Sequence, residues 1–133
     1  MSETGIELNH TIVHSRDRWA AARDVASVLG LPEPTAYGPF AVVGLAHGLS
    51  LDFMDDAGQI SSQHYAFLVG EDDFDAIWSR IREQGRTFWA DPFRHQPGEI
   101  NTHDGGRGLY WEGPDGHHLE IITRPYGGGE TDS

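Results

Sequence analysis

The sequence predicts an α+β fold built from two similar modules, each with the order β-α-β-β-β. In both halves an apolar segment with one histidine is followed, 20 or 21 residues later, by a glycine that ends an amphipathic segment. Each half then closes with alternating apolar and polar residues that include an acid. The modules span about residues 6–56 and 62–125. Their histidine and acid are His10 and Asp52 in the first, and His64 and Glu120 in the second.

The elements of the first module follow from residue spacing. Alternating apolar side chains predict a strand over about residues 6–14. Residues 16–29 have apolar positions at steps of three and four, which indicates a helix that ends at Gly30. Two further apolar runs, at 40–46 and 49–54, predict a hairpin.

The second module repeats this pattern. Residues 63–69 read as a strand, and the helix at 71–85 has three acids in its first turn and a buried apolar stripe. The segment 91–106 is a long loop, and loops of this length are often functional. Residues 107–112 and 117–124 predict a second hairpin.

Composition restricts the partners that this chain is expected to have. Its 21 acids against 9 Lys and Arg give a formal charge of −12, which opposes binding to nucleic acid or to an anionic membrane. The sequence has neither a long apolar run nor a basic leader, so we expect neither a membrane span nor a secretory signal. Zero cysteines exclude disulfides and thiolate metal sites, and are compatible with the cytoplasm.

The length of 133 residues fits one domain, which we place at residues 6–126. Residues 1–5 are a short N-terminal extension. The segment 127–133 is rich in glycine and polar residues, so we expect it to be disordered.

Strand parity predicts which side chains share a site, because alternate residues of a strand face opposite ways. Bulky apolar residues of each strand take the side that the helix covers. The histidine and the acid of each module therefore fall on the face away from the helix. The four side chains converge if the two modules curl into a shared cup.

Three segments resemble the vicinal oxygen chelate superfamily: residues 8–10 read LNH, 64–67 read HYAF, and 109–120 read LYWEGPDGHHLE. This superfamily includes glyoxalase I, extradiol dioxygenases, fosfomycin-resistance transferases and bleomycin-binding resistance proteins. The resemblance covers about residues 6–125, although Gly113 stands where an aspartate is usual. It implies paired βαβββ modules that form a cupped, barrel-like mixed sheet with the helices outside. It also implies a homodimer and a divalent metal in the cup.

The resemblance assigns the metal ligands to His10, His64 and Glu120. Independently of any family, two imidazoles and a carboxylate can hold Fe(II), Mn(II), Ni(II) or Zn(II) while leaving coordination positions open. We favour Fe(II) or Mn(II), with Ni(II) or Zn(II) as the other choices. Open positions allow a small oxygen-rich substrate to bind the metal and react.

Three further residues are candidates for catalysis. Asp52 occupies the place where glyoxalase-type enzymes carry a fourth ligand, and it can also act as a base. Tyr110 matches the tyrosine of extradiol dioxygenases that assists bound substrate. Those enzymes also use a basic histidine near the pocket, for which His103 and His47 are approximate matches. Ring-cleaving dioxygenation and glyoxalase-like isomerisation or lysis both remain open.

Four side chains are candidates for the substrate pocket: His14, Trp89, Trp111 and Arg124. The expected partner is a small molecule. The alternative to an enzyme is a metal-free protein of the bleomycin-resistance type that sequesters a small molecule in the same cup.

Overall fold

The computed structural model describes residues 4–127, which divide into two compact units with the boundary after Ile60. Over those residues, each unit has one α-helix and one four-stranded sheet in the order β-α-β-β-β. The predicted α+β class and the repeated module are therefore confirmed. Residues 1–3 and 128–133 lie outside the described part, and so does nearly all of the predicted C-terminal tail.

The first unit contains β1 (His10–Ser15), α1 (Arg18–Leu29), β2 (Thr35–Tyr37), β3 (Phe40–Gly44) and β4 (Ser50–Asp55). Its sheet has the order β1-β4-β3-β2. The pair β1 and β4 is parallel, whereas the other two pairs are antiparallel, so the sheet is mixed.

The prediction that the first strand begins near residue 6 was wrong, because the strand begins at His10. The partner strand β4 starts at Ser50, which pairs with His10, and the Ser50 N–H donates to the Asn9 carbonyl at 3.0 Å. Residues 4–8 have no strand of this unit beside them to accept their backbone hydrogen bonds. Their apolar side chains, including Leu8, are largely exposed.

The second unit contains β5 (His64–Leu68), α2 (Glu71–Glu83), β6 (Phe88–Trp89), β7 (Gly108–Glu112) and β8 (His118–Ile122). Its sheet order β5-β8-β7-β6 reproduces that of the first unit, again with one parallel pair, β5 with β8. The repeat recognised in the sequence is therefore a repeat of strand topology.

Local chemistry sets the helix boundaries close to the predicted ones. The Asp17 carboxylate accepts hydrogen bonds from the N–H groups of Trp19 and Ala20 at 3.1 Å and so caps the start of α1. Gly30 ends this helix in a left-handed conformation with φ of 74°. In α2 the acids lie in the first turn, and the buried residues at helical spacing are Phe74, Ile77 and Ile81.

The same tight turn joins the last two strands of each unit. Its central residues have positive φ, 63° and 79° at His47 and Gly48, and 61° and 79° at Asp115 and Gly116. This conformation matches the twist of a hairpin. The turns bring β4 and β8, which bear the candidate acids, into antiparallel register with β3 and β7.

Candidate functional site

Glu120 lies in the middle of β8, in register with Ala66 of β5 and with Tyr110 of β7. Residues in register on neighbouring strands point to the same face of a sheet. His64 precedes Ala66 by two residues and shares that face. Intervening residues such as Leu119 take the opposite face, and both Leu119 and Glu120 are buried.

His64 and Glu120 form a direct pair, with Nε2 of the imidazole 2.9 Å from Oε1 of the carboxylate. The Glu120 side chain is only 1% exposed, whereas that of His64 is 48% exposed. A buried carboxylate is costly unless it has partners. The imidazole supplies one partner and places a nitrogen beside a carboxylate oxygen, two donor types that bind divalent transition metals.

Two tyrosines complete the surroundings of Glu120. The Tyr126 hydroxyl donates a hydrogen bond to Oε2 of Glu120 and lies 3.4 Å from the Tyr110 hydroxyl. Burial, together with the hydrogen bond to Glu120, raises the pKa of Tyr126. Burial also raises the pKa of Tyr110. Both phenols therefore remain protonated donors at neutral pH.

A cavity of about 140 Å³ opens beside this pair. Aromatic rings, two imidazoles and two charged groups line it: His64, Trp89, Asp91, Pro92, Arg94, Tyr110, Trp111 and His118. Predominantly aromatic walls with a few polar groups are typical of small-molecule sites. The predicted pocket residues Trp89 and Trp111 both line this cavity.

The loop after β6 forms one wall of the cavity. The Arg94 guanidinium lies 4.6 Å from the centre of the Trp89 ring and 3.0 Å from the Glu112 carboxylate. Asp91 accepts hydrogen bonds from the N–H groups of His95 and Gln96 at 2.8 Å. Desolvation by itself would raise the pKa of Asp91. The hydrogen bonds from His95 and Gln96 outweigh it, so the pKa is lowered.

In the first unit, His10 and Asp52 line a wider cavity of about 490 Å³. Asp52 is 9% exposed, and its Oδ1 accepts a hydrogen bond from the Ser50 hydroxyl at 2.7 Å. His10 is exposed, and its Nδ1 lies 2.7 Å from Oδ1 of Asn9. When Nδ1–H donates to Asn9, the Nε2 lone pair of His10 stays available to a metal.

The remaining candidates lie at the surface. His14 pairs with Asp56 at 3.1 Å. His103 is exposed in a turn that ends at Gly105. Arg124 packs against Gly106. Tyr126, by contrast, gave no sequence signal beyond an aromatic ring before a glycine run.

The predicted metal ligands are divided between the units, with His10 in the first and His64 and Glu120 in the second. Over residues 4–127, neither unit by itself gathers three His, Cys, Asp or Glu side chains that could hold a metal. Within the second unit, Nε2 of His64 and Oε1 of Glu120 lie 2.9 Å apart.

The chain matches a model of the protein family that its residues resemble. The family model for the glyoxalase/bleomycin resistance protein/dioxygenase superfamily matches residues 5–121. The chain belongs to this superfamily. The matched range contains the first module, residues 62–121 of the second module and all three predicted metal ligands.

Three known proteins that are similar to this chain differ in how much of it they match. The metallothiol transferase FosB of Shouchella clausii (strain KSM-K16) is 34% identical over 95 residues, which are 71% of this chain and 61% of that protein. The chain thus spans less than two thirds of that curated relative. The structure of the oxidase ChaP-H1 is 60% identical, with a TM-score of 0.90, and covers 93% of this chain and 100% of its own. For the oxidase ChaP-H2 the identity is 58% and the TM-score 0.91, with 95% and 99% covered.

Among the residues that the structure describes, no helix is long and apolar enough to span a membrane.

Proposed function

We propose that this chain is a metal-dependent oxidase of the dioxygenase type that acts on a small, aromatic, oxygen-rich molecule. The observation that carries the proposal is the His64 and Glu120 pair at 2.9 Å beside a cavity lined by Trp89 and Tyr110. Aromatic walls suit a planar ring. The 60% identity to a protein named as an oxidase favours oxidation over isomerisation.

The proposed metal ligands are His10, His64 and Glu120, with Fe(II) or Mn(II) favoured over Ni(II) or Zn(II). This donor set fits a divalent metal, because Glu120 is a buried carboxylate already beside an imidazole nitrogen and His10 has a partner for its other ring nitrogen. A metal bound there would supply electrophilic binding of two neighbouring substrate oxygens and, with Fe(II), a site for oxygen chemistry.

The protein's own residues bind and orient the substrate in this proposal. Tyr110 stays protonated and donates a hydrogen bond to a substrate oxygen, because burial raises its pKa. Trp89 packs against the aromatic ring, and Arg94 stabilises the position of Trp89 by stacking on it. Asp52, with Oδ1 bonded to Ser50, has its second oxygen left to take a proton or to hold a water.

Oxygen consumption tests this proposal. We expect protein loaded anaerobically with Fe(II) to take up oxygen when a panel of small catechols is added. In ring cleavage, O₂ is the oxidant, one carbon–carbon bond of the ring breaks, and both oxygen atoms enter the product. An oxygen electrode measures the uptake, and mass spectrometry after reaction in ¹⁸O₂ measures the incorporation.

Two substitutions separate this chemistry from a glyoxalase-like reaction. Tyr110→Phe should lower oxygen uptake about 10- to 100-fold, the value of one hydrogen bond to a charged group. Asp52→Asn should have the smaller effect. Turnover of an α-keto or hemithioacetal substrate by Ni(II)-loaded protein, with loss of about 10² or more in Asp52→Asn, would instead establish isomerase chemistry. A protein that binds catechols or bleomycin without any metal would be the sequestering type.

We also propose that the chain forms a homodimer. Within the first unit, β1 lies at the edge of the sheet. Two apolar side chains at this edge are accessible, Leu8 at 69% and Ile12 at 39%. An edge strand with exposed apolar residues is suited to pairing with a second chain.

A further inference from the structure

The two carboxylate oxygens of Glu120 have different partners. Oε1 faces Nε2 of His64 at 2.9 Å, whereas Oε2 accepts the hydrogen bond from the Tyr126 hydroxyl. Glu120 is almost completely buried, so neither oxygen has free access to water. The orientation of the carboxylate is therefore determined by these two side chains.

The chain after β8 is held in a path that brings Tyr126 to Glu120. The Thr123 N–H donates to the Arg107 carbonyl at 3.0 Å, and the Arg107 N–H donates to the Thr123 hydroxyl at 2.8 Å. Arg124 then packs against Gly106, where a β-carbon would lie only 2.6 Å from Oγ1 of Thr123. These contacts fix the two residues that precede Pro125 and Tyr126, and so limit where the phenol can reach.

We propose that Tyr126 is a positioning residue for the metal ligand Glu120. By occupying Oε2, it leaves Oε1 as the oxygen presented to a metal beside Nε2 of His64, so that Glu120 binds through one oxygen. This inference rests on the proposed metal-dependent function. A hydrogen bond to a ligating carboxylate fixes its orientation before the metal arrives, and loss of such a partner typically weakens metal affinity 10- to 100-fold.

The hydroxyl of Tyr126, and not its ring, makes the contacts with both Glu120 and Tyr110. The two hydroxyls are 3.4 Å apart, so the Tyr126 phenol connects the buried carboxylate to the phenol proposed to contact substrate. Tyr126 as a whole residue is 62% accessible, so it is not part of the core. Removing only the hydroxyl should therefore change the site without removing a core side chain.

Titration calorimetry with Mn(II) under anaerobic conditions tests the proposal on the full chain. We expect Tyr126→Phe to bind Mn(II) about 10- to 100-fold more weakly than the unmodified protein, with the same stoichiometry and an unchanged melting temperature. Tyr65→Phe is the matched control: Tyr65 lies in β5 next to His64 but points to the opposite face. Its affinity should stay within about twofold.

A double-mutant cycle tests whether Tyr126 changes the Mn(II) affinity through the Glu120 carboxylate. If Tyr126 acts through the Glu120 carboxylate, Tyr126→Phe should weaken Mn(II) binding much less in a Glu120→Gln background than in the unmodified chain. Equal losses in both backgrounds, or equal affinity of Tyr126→Phe and the unmodified protein, would overturn the positioning role alone. Failure of the unmodified protein to bind Mn(II), Fe(II) or any other divalent metal would overturn the proposed function and this inference together.

Discussion

At the scale of single residues, Gly113 is explained by its neighbour. The resemblance to the superfamily leads one to expect an aspartate there. A β-carbon at this position would lie 2.6 Å from Cδ1 and 3.0 Å from Cγ of Leu119. Leu119 is buried, with 3% of its surface exposed, and has little room to move. The backbone at Gly113 has an ordinary φ of −91°, so packing and not backbone conformation demands glycine.

Gly113→Ala should therefore lower the free energy of unfolding by about 1–3 kcal/mol, the usual cost of overpacking. Gly44→Ala, at the end of β3, is the control because no atom lies within 4 Å of the position that its β-carbon would take. Urea denaturation followed by circular dichroism measures both. Equal stability of the two variants would show that Leu119 moves aside.

At the scale of secondary-structure elements, His117 connects the start of β5 to the turn before β8. Its ring is buried, and Nδ1 accepts a hydrogen bond from the Gln63 N–H at 3.1 Å. Its edge also contacts the Tyr65 ring, with 5.7 Å between the ring centres. Because Gln63 directly precedes His64, this contact fixes the end of the strand that bears a proposed ligand. The histidine of the Pro-Asp-Gly-His turn is thus a structural residue of this unit.

His117→Ala should destabilise the fold by about 2–4 kcal/mol, because it removes a buried, packed ring and leaves the Gln63 N–H without its acceptor. His95→Ala is the matched control, since the His95 side chain is 79% exposed and its loss should change stability by less than about 0.5 kcal/mol. Thermal and urea denaturation provide the measurement. If both variants are equally stable, His117 has no structural role.

The N-terminus of α2 is joined to the sheet of its unit by Arg107. This guanidinium pairs with Glu71 and Asp75 at 2.8 Å and lies 4.4 Å from the centre of the Phe74 ring. The hydrogen bonds to Asp75 and Glu71 outweigh desolvation and raise the pKa of Arg107. The acids are well exposed, so the ion pairs contribute modestly, and the stacking on Phe74 adds a contact to the buried side of the helix.

At the scale of the whole molecule, the homodimer is the prediction to test. Sedimentation equilibrium at micromolar concentration should give twice the monomer mass of 14.7 kDa. Leu8→Lys should shift the equilibrium towards monomer, because it places a charge next to the start of the edge strand β1 without changing a residue of the sheet.

Phe93→Ser is the control for this substitution. Phe93 is 74% exposed and belongs to the loop after β6 in the second unit, not to the edge strand β1. The same shift in both variants would argue against β1 as the contact, and a monomer in the unmodified protein would refute the dimer.

The sequence by itself determined the features that depend on local periodicity. Both helices, the two hairpins and the division into modules follow from the spacing of apolar residues and from glycine, which ends a helix at Gly30. Alternation along a strand also indicated that His64 and Glu120 share a face, and they do. Side chains repeat every two residues in a strand and every 3.6 in a helix, so these features need no knowledge of distant contacts.

Only the tertiary structure decided the features that depend on a partner far away in the chain. Strand β1 starts at His10 because β4 starts at Ser50, and β2 and β6, with three and two residues, are too short for a periodic pattern. Tyr126 reaches Glu120 because hydrogen bonds between Thr123 and Arg107 direct the chain after β8. Composition and spacing specify which face a residue takes, whereas strand register and loop path specify what it touches.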